Sequence, residues 1–141
     1  MRIIVGIAAT AAWILYFGQL ISVLDFRLAQ RLGLQESPEA TDALASHLEL
    51  WTARWDLAWL WTLPAAGTLM LLDHPWWPYA ALIGGAASID TGGREAAKVR
   101  GLIRRGIRIG TDGQRRLIAS VFIYLVAAGV LMTAASLQAI A

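Results

Sequence analysis

Twenty-five consecutive residues, Leu117–Ala141, carry no charge, and the segment directly before them is the most basic in the chain. Arg94–Arg116 holds eight of the twelve Lys/Arg residues (Arg94, Lys98, Arg100, Arg104, Arg105, Arg108, Arg115 and Arg116) against Glu95 and Asp112, so it carries +6 in a chain of net +2. An arginine-dense loop beside a membrane-length apolar run is the pattern that the positive-inside rule assigns to the cytoplasmic face. A soluble chain would need polar surface on every element, and here whole segments have none. Composition agrees: 57% of residues are hydrophobic and 16% charged, where soluble domains average about 45–50% and about 25%. The 141 residues leave room for one domain.

From this anchor the remaining segments fall into place. Ile3–Leu24 has no charge over twenty-two residues, about 33 Å as a helix and enough to cross the hydrocarbon core. Its length and the lack of a cleavage pattern favour a retained helix over a signal peptide. Asp25–Leu34 places Leu24, Leu28 and Leu32 one turn apart among Arg27 and Arg31, which reads as a short amphipathic helix at the headgroup level ending near Gly33. Ser37-Pro38-Glu39 reads as the start of a further helix. That helix carries Leu44, Leu48, Trp51 and Trp55 on one stripe into a second span, residues 51–72, with a kink expected at Pro64. The turn at Asp73–Pro78 leads into a third span, residues 75–91, whose small residues Ala80, Gly84 and Ser88 line one face beside Gly85. Gly92-Gly93 is expected to loosen or end it, opening a basic cytoplasmic loop over residues 92–116. Within that loop Arg94–Ile109 reads as a second interfacial helix. The last span covers residues 117–140, with Gly129 on its small face.

The expected fold is therefore all-α: an integral membrane protein of four transmembrane helices, with short amphipathic helices in loops one and three. Counting Lys and Arg puts both termini on the non-cytoplasmic side of a multi-pass protein. Trp51, Trp55, Trp59, Trp76 and Trp77 are expected to anchor it in the interfaces. The excess of Arg over Lys and the abundance of Ala point to a GC-rich bacterial genome, and so to a bacterial inner membrane.

Chemistry-bearing residues are sparse. Arg54, Asp56, Asp90 and Arg94 fall near the cytoplasmic ends of spans two and three, where charges are usually paired. Cross-helix ion pairs Arg54–Asp90 or Asp56–Arg94 are expected as a structural clamp. His47 and His74 lie on opposite faces by topology, and neither has the partners of a metal site. With no cysteine and no catalytic or nucleotide-binding motif, the residues indicate no catalytic group, cofactor or metal. Lys98, Arg100, Arg104, Arg105 and Arg108 are candidates for contact with anionic lipid headgroups or a partner, and nucleic acid is the less economical reading of the same charge.

The layout resembles small, uncharacterised bacterial four-helix inner-membrane proteins. The likeness rests on an amphipathic segment ending in Leu32-Gly33-Leu34, Arg54 entering span two, Gly93-Arg94 leaving span three, and a closing span. It implies a fold and carries no activity. The role expected from the residues is non-catalytic: a structural or accessory subunit that packs with itself or a larger complex through the small faces of spans three and four. The alternatives are a small oligomeric transporter or channel, and a lipid-headgroup-binding protein or membrane enzyme using Arg94–Arg116.

Overall fold

The computed structural model describes residues 2–141, and among them every regular element is helical. α1 (Arg2–Thr10) and α2 (Ala12–Leu24) form one rod, because Ala11 keeps helical dihedrals and its N–H still donates to the Ile7 carbonyl at 3.0 Å. α3 (Phe26–Arg31) is a short helix whose N-cap, Asp25, accepts from the Leu28 N–H at 2.9 Å. Gly33, at φ +71°, turns the chain out of it.

α4 (Ala43–Trp59) and α5 (Thr62–Leu71) make a second rod, interrupted at Leu60-Trp61. Pro64 explains the interruption: it has no N–H for the Leu60 carbonyl and is accommodated in the first turn of α5. Side chains take up neighbouring carbonyls, the Thr62 hydroxyl donating to Trp59 at 2.5 Å and the Trp61 indole to Ala58 at 3.0 Å. α4 starts later than Ser37-Pro38-Glu39 would have it. Asp42 and Thr41 instead reach across to another loop, and Asp42 caps no helix with its side chain.

α6 (Trp77–Arg104) departs most from expectation. It runs unbroken through Gly92-Gly93, so there is no separate interfacial helix over Arg94–Ile109. Tertiary packing overrides the helix penalty of glycine here: a Cβ on Gly92 would lie 2.9 Å from the Phe122 carbonyl of the next helix. That helix, α7 (Asp112–Ile140), opens with a capping box between Thr111 and Gln114.

The rods pack in chain order. α1 lies on α5 and α2 on α4; α5 and α4 lie on α6; α6 lies along α7; and α1 on α7 closes the ring. One end holds Arg2 paired with Asp73, and the Ser136 hydroxyl donating to the Pro78 carbonyl at 2.6 Å. The other end is tied by Arg108–Asp42 at 3.1 Å and by the Gly110 N–H donating to Thr41 Oγ1 at 3.0 Å. The core between the rods is built from Val5, Ala9, Leu63, Ala66, Met70, Leu125 and Met132. Gly84, Gly85, Ser88 and Gly129 are buried in it and Ala80 packs at its edge, so these small faces are occupied within the chain. Two segments, Arg2–Leu24 and Asp112–Ile140, are long and apolar enough to cross a membrane.

Candidate functional site

The buried stripe of α6 turns from small to charged as it passes its midpoint. Ala81, Gly84, Ser88, Thr91, Glu95, Lys98 and Leu102 recur at alternating spacings of three and four, and all face inward. On α4, Ala45, Glu49, Thr52 and Asp56 make the matching stripe. The two meet in a chain of alternating charge. Asp56 (3% exposed) accepts from Arg94 at 2.7 Å; Arg94 also bonds Glu95 (4% exposed) at 2.9 Å. Lys98 then pairs with both Glu95 and Glu49, the latter at 2.9 Å, and donates to Thr52 Oγ1 at 3.1 Å.

Burial raises the Glu49 and Glu95 carboxyls above the ordinary carboxylate range, with Lys98 pulling the other way. For Lys98, burial works against the ammonium, but attraction to Glu49 and hydrogen bonding to Glu95 outweigh it and the pKa rises. The network is thus four carboxylates, Asp56, Asp90, Glu95 and Glu49, bound by two cations.

Several residues singled out from sequence sit differently. Of the two expected cross-helix pairs, the structure contains Asp56–Arg94; Asp90 bonds Arg94 along the same helix at 3.4 Å. Arg54 makes no ion pair among the described residues, and its guanidinium lies 5.3 Å from the centre of the Trp51 ring, where cation–π attraction holds it. Lys98 is not free for headgroups, being held inside the network, and Arg108 is engaged by Asp42. Trp51, Trp55, Trp59 and Trp76 are exposed, whereas Trp77 is 7% exposed and packs in the bundle beneath Arg2. Sequence reading missed Glu49 and Glu95. The signal was the 3–4 stripe of α6 continuing past Thr91, masked by the surrounding arginines.

His47 accepts from the Trp51 indole at 2.9 Å, and His74 receives the Trp76 N–H at 3.3 Å. Among the described residues no group of His, Asp and Glu is placed to hold a metal ion. Thr62, Thr68 and Tyr124 each spend their hydroxyls on backbone carbonyls, those of Trp59, Pro64 and Ala8.

Outside the network, α6 and α7 diverge towards their basic ends and leave an apolar groove of about 800 Å³. Gly93, Ala96, Ile103, Ile118, Phe122 and Val126 line it, and Arg100, Arg104 and Arg115 stand in its wall with no carboxylate among the lining residues. Arg115 is paired with Asp112, while Arg100 and Arg104 make no ion pair among the described residues. The groove can hold an apolar chain with an anionic head. Compared with known protein families, with curated proteins and with solved structures, the chain matches none.

Proposed function

We propose that this chain is a four-span protein of a bacterial inner membrane, with both termini outside, and that its role is the non-catalytic binding of anionic phospholipid at the cytoplasmic leaflet. The distribution of polarity supports the membrane reading. Large apolar side chains such as Ile4, Ile14, Phe17, Ile83, Ile123 and Leu137 are exposed, while Ser22, Asp56, Ser88, Glu95 and Ser136 are buried. That arrangement suits a hydrocarbon solvent. In this reading the spans cover residues 3–24, 51–72, 75–91 and 117–140, and Trp51, Trp55 and Trp59 lie at the cytoplasmic interface.

The single observation that carries the lipid reading is the α6–α7 groove, apolar along its length and rimmed by Arg100, Arg104 and Arg115. A subunit role resting on the small faces of spans three and four has less to stand on, because those faces are already filled by α5 and α7. The absence of a carboxylate among the groove-lining residues favours binding over headgroup chemistry.

The test is retention of phosphatidylglycerol against phosphatidylcholine by the detergent-purified chain, read by native mass spectrometry. Each basic residue near an anionic surface contributes about 1 kcal/mol. Arg100→Gln with Arg104→Gln should therefore lower the preference about 30-fold, and salt should lower it in the parent. Unchanged phosphatidylglycerol preference in the double variant would contradict the assignment.

A further inference from the structure

A second cavity, of about 240 Å³, meets the α6–α7 groove at Ile118 and Phe122, which line both. α7 packs on α1 but diverges from α2, and the space left between them is backed by α4 and α6 and roofed by residues 33–36. Its inner wall is apolar, with Leu60, Val121, Phe122 and Leu125. Its outer wall holds four carboxylates, Glu36, Glu49, Asp56 and Glu95, with Gln19 and Gln35 among them.

Glu36 sets this cavity apart. Its side chain is among the cavity-lining groups and the residue is only 7% exposed, yet among the described residues no donor or cation lies within bonding distance of its carboxylate. The nearby cations are committed elsewhere: Arg94 to Asp56, Asp90 and Glu95, and Lys98 to Glu49, Glu95 and Thr52. Glu36 thus presents an unpaired carboxylate to the cavity while the neighbouring cations are already shared among other carboxylates, and it is the position in this site open to a further positive charge.

We propose that this cavity binds a small organic ammonium ion, with the cationic nitrogen at Glu36 and the apolar body against Leu60, Val121, Phe122 and Leu125. A bare metal ion fits less well. No metal-holding group of side chains is present among the described residues, and half of the cavity wall offers a metal nothing. The volume is below the roughly 300–1,000 Å³ of pockets for drug-sized molecules, so the ligand is of the order of a benzylammonium. The proposal does not rest on the lipid reading: the two cavities share Ile118 and Phe122, but the carboxylates line only this one and the arginines only the other.

The experiment is calorimetric titration of the purified full chain in neutral detergent with benzyltrimethylammonium chloride. Benzyl alcohol and sodium chloride serve as controls. The parent should bind the ammonium saturably and neither control, and Glu36→Gln should weaken binding at least tenfold. Gly18→Leu gives a second reading that leaves every charge in place. A Cβ at Gly18 meets only Leu34, at 3.8 Å, so the variant should fold while its side chain fills the cavity and abolishes binding. Loss of binding in both variants, with thermal transitions like the parent's, supports the site. Equal binding by Glu36→Gln or Gly18→Leu, displacement by sodium at matched concentration, or no binding by the parent overturns it.

Discussion

Replacing Gly85 by leucine should separate α6 from α7 and cost the folded bundle about 3 kcal/mol or more, at or above the upper end of ordinary overpacking. A Cβ at Gly85 would lie 2.8 Å from the Gly129 carbonyl oxygen and closer still to the Thr133 hydroxyl. Gly129 is bound reciprocally, since its own Cβ would lie 2.6 Å from the Gly85 carbonyl. Backbone on both sides prevents relief. On the neighbouring face of α6, a Cβ at Gly84 would meet the Thr62 carbonyl at 2.7 Å, so α6 cannot retreat from α7 without striking α5. The helix is wedged, and only the missing side chains let three rods approach so closely. Denaturant titration in mixed micelles reads the loss. Gly101→Ala is the control: nothing lies within 4 Å of its Cβ, and the exchange should stabilise the helix by about 0.5–1 kcal/mol. Equal behaviour of the two variants would mean that the α6–α7 contact is not the tight one described.

Lys98→Met should be comparably severe and should carry a pH signature. Lys98 is the cation shared by Glu49 and Glu95, and its side chain is 18% exposed. Removing one partner from a buried pair costs about 3–5 kcal/mol, and the partial exposure here places the loss at the lower end. In the parent, burial raises the Glu49 and Glu95 pKa values while Lys98 opposes the rise. Without Lys98 both move further up. A carboxyl whose folded pKa exceeds its unfolded value adds stability as pH falls through the folded value, and that stability is lost as pH rises. The variant is therefore weakest at neutral pH and regains stability on mild acidification, the reverse of ordinary acid unfolding. An equal deficit at pH 5 and pH 7.5 would show that the lysine stem, and not its charge, is what the network needs.

The contrast between these two sites shows what the residue order carries. Ala80, Gly84, Gly85, Ser88 and Gly129 are legible as packing residues because small side chains at helical spacing have one common use in apolar helices. Their partners are not legible, since the same spacing serves contact within a chain or between chains. The break before Pro64 follows from local covalent chemistry. The continuity of α6 through Gly92-Gly93 does not, because it depends on Phe122 and Val126 arriving from thirty residues away. Lys98 was hidden for a related reason. Flanked by Arg94, Arg100, Arg104 and Arg105, it reads as one more member of a solvated basic face. Only its register with Ser88, Thr91 and Glu95 marks it as inward. Glu36 lies in a loop, where no periodicity exists to show that it is buried.

The most direct test of the four-span reading uses the absence of native cysteine. Single cysteines at the exposed positions Glu39, His74, Arg105 and Ala141 can each be challenged in intact cells with a membrane-impermeant maleimide. Four crossings predict that positions 74 and 141 label from outside, and that 39 and 105 label only after the membrane is opened. Labelling of 74 from the same side as 105, or recovery of the whole chain in the aqueous fraction, would contradict it.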